Sequence, residues 1–353
     1  MDALVLRRGE SSPTLVDRPR PEPAPGEALL RILRVGVDGT DHEVLTGAHG
    51  AFPAGDDEMV LGHEAVGVVA DPNGTDWATG DVVAPTVRRP PPGGTNDFFE
   101  RGEPDMAPTD ATVECGIDGA DGFMAEYVAV PGEFLVEVPP ELAAVGFLVE
   151  PLSVAEKALD HAFAARSAFD WDPEAALVLG NGSLGLLTIA ILDEFDRLYC
   201  LGRRDRPDPS IDLVEALGAT YVDSRETPVP DIPTVHEPMD LVYEATGYAP
   251  HALQSVRALA PNGVAALLGV PEDHREAVDV GEWHREVVLG NRAVVGSVNA
   301  GPEHFRTAVD SLAELDESFL EQFVTTVAPV DDFEAAFATD EDVVKTAVEF
   351  GSL

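Results

Sequence analysis

The chain contains a glycine motif of the kind that binds the phosphates of a dinucleotide. A Gly-x-Gly-x-x-Gly pattern is formed by Gly180, Asn181, Gly182, Ser183, Leu184 and Gly185. In this pattern the glycines allow a tight turn, a close approach of the backbone to a pyrophosphate, and close packing of a helix on a strand. The phosphates then lie at the positive N-terminal end of that helix. The motif predicts a dinucleotide site; a glycine-rich turn without a ligand is the alternative.

Two arginines follow at the sequence spacing where such a site contacts the ribose of the cofactor. Gly202, Arg203, Arg204 and Asp205 come about 20 residues past the glycines, where a site for NAD usually offers an acid to the 2'-hydroxyl. Guanidinium groups instead suit the extra charge of a 2'-phosphate. The pair predicts NADP as the preferred cofactor, and Asp205 leaves room for weaker use of NAD. The alternative is a pair of solvated cations on an acidic surface.

Further cofactor contacts are expected where later strands end. The segments that close these predicted strands are Thr246-Gly247, Leu268-Gly269-Val270 and Val298-Asn299. In open parallel sheets the cofactor lies outside the carboxyl ends of the strands. Each segment alone is equally compatible with an ordinary strand-end turn.

Three earlier segments carry side chains that can do metal or acid–base chemistry. Asp38 lies in Val37–His42, His63 and Glu64 lie in Gly62–Gly67, and Glu150 lies in Val149–Ser153. A histidine beside a glutamate is by itself more often structural than catalytic. Since Cys115 and Cys200 are the only cysteines, a cysteine-rich zinc cluster is excluded. Any metal must therefore be held by histidine and carboxylates.

The elements that must position these residues divide the chain into two kinds of structure. Short strands separated by Gly and Pro predict a mostly β part over about the first 150 residues, for example at Glu27–Val37, Glu64–Ala70, Asp81–Pro85 and Phe123–Val130. A helical pattern runs from Leu152 to about Phe169. From Ala175–Leu179 onward, strands alternate with helices, which predicts a parallel sheet covered on both faces. After Asn299 the elements are mixed, with a helix expected near Phe333–Ala338, and this tail should pack back against the first part.

The charge of the chain excludes several classes of protein. Among 353 residues, 65 are Asp or Glu and 22 are Lys or Arg, so the formal net charge is −43. Such a surface repels nucleic acid and anionic lipid, which bind through Lys and Arg. No apolar run approaches the roughly 20 residues that span a bilayer. We expect a soluble, cytoplasmic protein from cells at molar salt, where the Debye length is about 3 Å and self-repulsion fades.

Taken together, the motifs resemble the zinc-dependent medium-chain alcohol and sugar dehydrogenases, in order over almost the whole chain. The matching segments are Asp38-Gly39-Thr40-Asp41, Gly62-His63-Glu64, Gly122–Tyr127, Glu150-Pro151 and the late glycine motif. With Glu114, Arg203-Arg204 and the acid excess, the chain is most similar to the NADP-preferring glucose dehydrogenases of halophilic archaea. The resemblance implies an α/β fold with two domains. A GroES-like, β-rich catalytic domain would cover 1–165 and 298–353, and a doubly wound Rossmann domain would cover 166–297.

The same resemblance implies one catalytic zinc ion per chain, held by Asp38, His63 and Glu150. Glu64 would be a further ligand or a neighbour of the ligands. Family members commonly have cysteine where this chain has Asp38. Zinc accepts imidazole and carboxylate ligands, and adjacent carboxylates resist ionisation without a cation. This oxygen-rich set weakens the preference for zinc over manganese or magnesium. Because 88–112 lacks the four cysteines that hold a second zinc in many members, no structural zinc is expected.

The implied reaction is oxidation of D-glucose at C1 to D-glucono-1,5-lactone, within an Entner–Doudoroff type of sugar catabolism. Thr40, Glu64 and Glu150 would be catalytic, and Thr40, Glu114, Glu150 and Asn299 would bind the sugar. The final proton acceptor is left open between water and Glu64. Family members form dimers and tetramers, and we expect a homodimer.

Two other functions stay open on sequence grounds. The first keeps the fold and changes the substrate to another aldose or polyol, such as galactose or xylose. The second is a metal-free reductase or a non-catalytic NADPH-binding sensor, which would leave Asp38, His63 and Glu150 without a role.

Overall fold

The computed structural model of the protein describes residues 1–340 and 342–353. The chain divides into two compact units, Met1–Ser153 with Asn299–Leu353, and Val154–Val298. The domains expected from the sequence, 1–165 with 298–353 and 166–297, differ from this division by twelve residues at the first boundary and by one at the second, and stay a prediction. In the described part of the chain, no helix has both the length and the apolar character that a membrane span requires.

The strands and helices are numbered in chain order. The strands are β1 (Asp2–Arg7), β2 (Thr14–Asp17), β3 (Glu27–Val37), β4 (Glu58–Val60), β5 (Glu64–Asp71), β6 (Val82–Pro85), β7 (Arg88–Arg89), β8 (Val113–Cys115), β9 (Gly119–Ala120), β10 (Tyr127–Pro131), β11 (Leu135–Glu137), β12 (Ala175–Leu179), β13 (Arg197–Gly202), β14 (Thr220–Asp223), β15 (Met239–Glu244), β16 (Leu259–Leu267), β17 (Ala293–Gly296), β18 (Val324–Pro329) and β19 (Lys345–Glu349). The α-helices are α1 (Gly39–Thr46), α2 (Asp97–Glu100), α3 (Val149–Ala164), α4 (Ser183–Ala190), α5 (Pro209–Ala216), α6 (Ile232–Val235), α7 (Pro250–Ala258), α8 (Val280–Leu289), α9 (Pro302–Glu314) and α10 (Glu317–Phe323).

The first unit is built around β3. Its main sheet has the strand order β11-β6-β5-β3-β19-β18, and β10 also pairs with β3. Along β3 most side chains are buried, and their apolar character fits a strand covered on both faces. The register places Gly36 opposite Glu64 of β5 and opposite Ala347 of β19. The end of β3 and the starts of β5 and β19 therefore meet in one place.

The second unit is a doubly wound parallel sheet. Its strand order is β14-β13-β12-β15-β16-β17, and every neighbouring pair is parallel. Numbered within the unit, this is the order 3-2-1-4-5-6 of dinucleotide-binding folds. Leu177, Leu179, Leu201 and Val242 belong to its buried core. The α/β fold class expected from the sequence is confirmed.

Several expected boundaries are wrong, for local reasons. The strand expected over Phe123–Val130 begins only at Tyr127, because the amides of Phe123 and Met124 donate to the carbonyls of Gly62 and Leu61 instead of to a regular ladder. The helix α3 begins at Val149 and ends at Ala164, since a proline in the first turn costs a helix little.

Two further expectations near the chain end also need correction. A helix expected near Phe333–Ala338 is a 3-10 helix at Val330–Ala335. The last strand of the parallel sheet ends at Gly296, two residues before the expected end at Val298.

Candidate metal centre and dinucleotide site

Asp38 lies where β3 ends and α1 begins. It is the N-cap residue of α1, and its carboxylate accepts a 3.1 Å hydrogen bond from the Asp41 amide while Asp41 accepts a 3.0 Å bond from the Asp38 amide. This reciprocal capping satisfies two amides at the helix start. The Thr40 hydroxyl donates a 3.2 Å hydrogen bond to Oδ2 of Asp38. The backbone thus fixes the Asp38 carboxylate before any ligand binds.

His63 lies between two carboxylates at the start of β5. Its Nε2 is 3.7 Å from Oδ2 of Asp38, and its Nδ1 is 3.8 Å from Oδ1 of Asp41. His63 and Asp41 are both buried. A metal-binding histidine usually directs its second ring nitrogen at a carboxylate, which fixes the ring and its tautomer. Asp41 occupies that position relative to Nδ1 and leaves Nε2 on the Asp38 side.

Glu64 is held by a lysine from the far end of the chain. The Lys345 ammonium contacts Oε2 of Glu64 and donates a 3.2 Å hydrogen bond to the Val37 carbonyl. A Cβ atom on Gly36 would lie 2.0 Å from Oε2 of Glu64, so any larger residue at this position of β3 would displace the Glu64 carboxylate. Lys345 and Gly36 together place the Glu64 carboxylate beside His63.

Glu150 enters the centre from the first turn of α3. Ligand atoms of His63, Glu64 and Glu150 lie within 4.8 Å of one another, and so do those of Asp38, Asp41 and His63. His63 belongs to both sets, and the other three residues expected to bind zinc, Asp38, Glu64 and Glu150, each belong to one of them. Imidazole nitrogen with carboxylate oxygens is a donor set that suits zinc.

The buried carboxyl groups resist ionisation in the absence of a cation. Burial raises the pKa of Glu150 to about 8, and the charges of Glu64 and Asp38 add to this effect. Burial and Asp38 likewise raise the pKa of Asp41 to about 7, against the opposing effect of His63. Burial raises the pKa of Glu64, although Lys345 opposes the rise. A divalent cation would compensate this excess of acid, so the centre fits a metal ion.

His63 and Asp38 shift each other's pKa, and together they favour a protonated imidazole beside an ionised carboxylate. Burial lowers the pKa of His63, but the charges of Asp38, Asp41 and Glu150 outweigh it and raise that pKa well above its usual range. Burial raises the pKa of Asp38, but the charge of the nearby His63 dominates and lowers it. Without a cation, His63 is the proton-bearing partner of Asp38.

Glu114 and Asn299, expected to bind a sugar, are brought together by the structure. Asn299 Nδ2 donates a 3.1 Å hydrogen bond to Oε1 of Glu114, and the same oxygen accepts a 2.9 Å bond from Nε of Arg88. Glu114 on β8 lies opposite Arg88 on β7. The carboxylate therefore has a fixed orientation, and its second oxygen can accept hydrogen bonds from a ligand.

Side-chain hydrogen bonds order residues 88–112, which are called the lobe below. Nη1 of Arg88 donates to the carbonyls of Asp105 and Ala107 at 2.8 and 3.1 Å. Asn96 caps α2 by accepting from the Phe98 amide at 3.0 Å and donates to the Ala111 carbonyl at 2.9 Å. The buried Arg88 thus connects the lobe to Glu114.

In the second unit, each glycine of the motif has a distinct structural role. Gly180 has a φ of 114°, which allows the tight turn after β12. A Cβ on Gly185 would lie 2.0 Å from the Gly180 carbonyl oxygen, whereas a Cβ on Gly182 would meet no atom within 4 Å. Gly185 therefore permits close packing of α4, and Gly182 leaves open space at the helix start. This arrangement fits a pyrophosphate at the N-terminus of α4.

The strand-end segments lie against this turn. A Cβ on Gly180 would be 3.0 Å from Cγ2 of Thr246, and one on Gly269 would be 2.0 Å from the Gly247 nitrogen. Gly247 in turn approaches the Val270 carbonyl. Leu268 donates its amide to the Glu244 carbonyl at 3.0 Å, which keeps the end of β16 beside β15. The structure therefore brings the Thr246-Gly247 and Leu268-Gly269-Val270 segments together with the glycine turn.

The two other expected cofactor residues, Val298 and Asn299, make contacts with other residues. Val298 accepts a 3.0 Å hydrogen bond at its carbonyl from Lys157. Asn299 belongs to the first unit and pairs with Glu114 as described above.

The two arginines follow β13, the strand next to β12. The Arg204 amide donates to the Tyr221 hydroxyl at 2.9 Å, and that hydroxyl donates to the Arg204 carbonyl at 3.1 Å. Asn181 donates to Ser210 at 2.7 Å and lies over Gly202, where a Cβ would be 2.5 Å from its Oδ1. Arg203 is exposed, and its charge is one of those that lower the pKa of Asp223. The backbone of the segment expected to contact the ribose, Gly202 to Arg204, is therefore held in place beside the glycine turn.

Three residues that shape the site do not belong to the sets expected from the sequence motifs. Asp41 was detectable, because Asp38 and Asp41 have the spacing of a capping box. Lys345 carried a weaker signal as one of only two lysines in the chain. Arg88 gave no local signal, since its importance depends on the distant carbonyls of 105 and 107.

Two family models match the chain. The model described as "Glucose dehydrogenase C-terminus" matches residues 143–350, and the model described as "Alcohol dehydrogenase GroES-like domain" matches residues 24–140. The first covers more than half of the chain, and the two together cover almost all of it.

Relatives of known function match over the full length. Glucose 1-dehydrogenase of Haloferax mediterranei is 60% identical, and glucose 1-dehydrogenase 1 of Haloterrigena turkmenica is 61% identical; both matches cover 100% of each chain. The solved structure of the Haloferax mediterranei glucose dehydrogenase in complex with NADP, zinc and gluconolactone has a TM-score of 0.99 over 100% of both chains. These matches extend the likeness seen in the metal centre and glycine turn to every part of the chain. The chain belongs to the glucose dehydrogenase family within the zinc-dependent medium-chain dehydrogenases.

Proposed function

We propose that the protein is a zinc-dependent glucose 1-dehydrogenase that oxidises D-glucose at C1 to D-glucono-1,5-lactone. NADP would be the preferred hydride acceptor, and NAD a weaker one. The observation that carries the proposal is the buried group of His63, Glu64 and Glu150 beside Asp38. The protein from Haloferax mediterranei, 60% identical, was solved with NADP, zinc and gluconolactone.

The metal would be held by Asp38, His63 and Glu150, with Glu64 as an exchanging ligand or a neighbour. When bound, zinc supplies Lewis acidity that stabilises negative charge on the reacting oxygen. Asp41 would orient the imidazole through Nδ1, and the charge of Lys345 favours the ionised form of Glu64 and holds its carboxylate in place. The capping bonds of α1 hold Asp38 rigidly, so little rearrangement is needed on binding.

Thr40 is the residue we assign to the first proton transfer. Its hydroxyl lies 3.2 Å from Oδ2 of Asp38, at the edge of the carboxylate cluster. It would accept the proton of the C1 hydroxyl and pass its own proton to water or to Glu64, while the hydride leaves C1 for the nicotinamide. Both proton and hydride are then accounted for.

Glu114, Glu150 and Asn299 would bind the sugar hydroxyls. Arg88 and Asn299 occupy one oxygen of Glu114 and leave the other as an acceptor. A site that accepts hydrogen bonds from hydroxyl groups rejects substrates without them, because its buried oxygens would lose their partners. This supports a polyhydroxylated substrate over a simple alcohol.

The cofactor would bind to the glycine turn and the strand ends beside it. Gly182 leaves space for the pyrophosphate at the start of α4, and Arg203 and Arg204 would pair with the 2'-phosphate. Thr246, Gly247, Gly269 and Val270 would line the nicotinamide half.

We also propose that the protein is a homodimer formed through the edge of the parallel sheet. The edge strand β17 and the neighbouring α8 expose Val294, Val288 and Leu289. An exposed apolar edge strand is a template for pairing with a second copy. Light scattering should give twice the chain mass, and Val294→Lys should shift it toward the monomer. A tetramer would mean that a second surface also associates.

The charge and the relatives support function at high salt. The formal charge of −43 repels itself at low ionic strength, and both relatives named above come from halophilic archaea. We propose a cytoplasm at molar salt as the place of action.

The decisive experiment is a sugar panel with NADP and NAD at molar KCl. Glucose should give the highest kcat/KM, EDTA should abolish turnover, and zinc should restore it. Asp38→Ala should lose activity but keep NADPH binding. Turnover of a non-sugar alcohol without glucose activity would overturn the substrate, and activity unaffected by EDTA would indicate a metal-free reductase.

A further inference from the structure

An acidic residue stands directly beside the two arginines that would bind a 2'-phosphate. Asp205 follows Arg203 and Arg204 and is 83% exposed. An acid at this turn normally accepts a hydrogen bond from the ribose 2'-hydroxyl and repels a phosphate. Left free, Asp205 would therefore favour NAD and act against the arginines.

Asp205 is not free, because Arg225 binds it with both terminal nitrogens. Nη2 of Arg225 is 2.6 Å from Oδ1 of Asp205, and Nη1 is 3.2 Å from Oδ2. Arg225 follows β14, the strand next to β13, so the ion pair joins the two loops at the carboxyl ends of these strands. A two-pronged contact of this kind fixes direction as well as charge.

The same guanidinium also binds Asp223, the last residue of β14. Nε of Arg225 donates to Oδ1 and Oδ2 of Asp223 at 2.9 and 3.0 Å. Hydrogen bonds and charge from Arg225 lower the pKa of both Asp205 and Asp223, so both acids are ionised at neutral pH. One cation therefore engages the two anions that flank the phosphate-binding segment.

Direct contact matters more than distant charge at molar salt. With a Debye length of about 3 Å, charges a few bond lengths apart are screened, while hydrogen-bonded ions are not. The general acidity of the surface thus has little effect on a phosphate, but a carboxylate in contact with it would. Holding Asp205 in an ion pair removes that one contact.

We propose that Arg225 is a positioning residue that sets the preference for NADP over NAD by holding Asp205 away from the 2'-phosphate. This inference rests on the proposed dehydrogenase function. Arg225 itself acts through Asp205, whereas Arg203 and Arg204 would contact the phosphate.

The test compares kcat/KM for NADP and for NAD, with glucose in excess at molar KCl, in the wild type and in Arg225→Gln. Loss of a charge-assisted contact should lower kcat/KM for NADP by about tenfold. The same change should leave kcat/KM for NAD unchanged or raise it, since Asp205 becomes free to accept the 2'-hydroxyl. The effect should lie in KM, with kcat at saturating NADP preserved.

Two variants make the result specific. Asp205→Asn in the Arg225→Gln background should restore use of NADP, because the repelling charge is gone. Arg257→Gln, which breaks the exposed pair of Arg257 with Glu282 on the same unit, should leave the ratio of the two cofactors unchanged.

Failure of the role proposed for Arg225 and failure of the dehydrogenase function would give different results. Equal losses with both cofactors, or an unchanged ratio, would overturn the role of Arg225 while leaving the dehydrogenase intact. A wild type that oxidises no sugar with either cofactor would overturn the proposed function and the inference with it.

Discussion

The ammonium of Lys345 contacts the carboxylate of Glu64, and each side chain is only 1% exposed. The two residues are neighbours because β19 and β5 flank β3, and Gly36 leaves the space that Glu64 occupies. A buried carboxylate without its partner is costly, since neither water nor a second cation compensates its charge. This ion pair is therefore a point where the stability of the fold and the chemistry of the centre meet.

Removing the ammonium should destabilise the protein. Lys345→Met leaves Glu64 buried and unpaired, and we expect a loss of about 3–5 kcal/mol in the free energy of unfolding. Chemical denaturation at molar KCl measures it. Adding Glu64→Gln to Lys345→Met should recover much of the loss; no recovery would show that Lys345 stabilises the fold through packing alone.

The metal should stabilise the protein more strongly at higher pH. Glu150 and Asp41 have pKa values raised to about 8 and about 7, so the folded, metal-free protein keeps protons that the unfolded chain releases above its ordinary carboxyl pKa. The raised pKa of His63 acts with the same sign, and each contribution is lost as pH rises. Stability without metal should fall between pH 5 and pH 8.

Zinc requires deprotonated ligands, so the gain in Tm on adding zinc should grow over the same interval. Thermal unfolding with EDTA and with zinc, at pH 6 and pH 8, provides the comparison. A gain that is equal at the two pH values would mean that these carboxyls are not the ligands.

Asp41 should tune the metal without binding it. Asp41→Asn removes the carboxylate next to Nδ1 of His63, and such changes typically weaken metal affinity by about 10- to 100-fold. Competition with a chromophoric chelator gives the affinity directly. Asp57→Asn, an exposed carboxylate paired with Arg8, is the matched control and should leave affinity unaltered. An affinity that is abolished outright in Asp41→Asn would make Asp41 a ligand.

The glycines of the dinucleotide motif should separate binding from stability. Gly182→Ala places a methyl group in open space, so Tm should hold, but NADPH affinity should drop because the methyl lies where the pyrophosphate approaches. Gly185→Ala places its methyl 2.0 Å from the Gly180 oxygen and should lower Tm as well. Fluorescence titration with NADPH and thermal unfolding test both; unaltered affinity in Gly182→Ala would move the pyrophosphate elsewhere.

Local patterns in the sequence predicted most elements of the parallel sheet. β12 was expected with its observed ends, because Ala175–Leu179 is a short apolar run followed at once by the glycine motif. The helices α1 and α8 were missed. Apolar residues give little helical periodicity in Gly39–Thr46, and the apolar residues of α8 lie at the surface.

Only part of the metal centre could be predicted from the sequence. The motifs around Asp38, His63 and Glu150 indicated a metal site, which stays a prediction. The pairing of β3 with β5 brings Asp38 and His63 together, and α3 adds Glu150. The contact of Lys345 with the centre could not be predicted, because it depends on β19 pairing with β3 more than 300 residues away in the sequence. A contact that joins distant strands leaves no periodic signal in either of them.

Arg88 holds the lobe through its side chain and needs neither a metal ion nor a cysteine to do so. Chelators and thiol oxidants act on zinc–cysteine clusters, whereas a guanidinium bound to the carbonyls of 105 and 107 is inert to both. Stripping the catalytic ion should therefore leave Glu114 and its lobe in place, ready for reloading. Loss of the metal would then stop turnover without disturbing the residues that we propose for sugar binding.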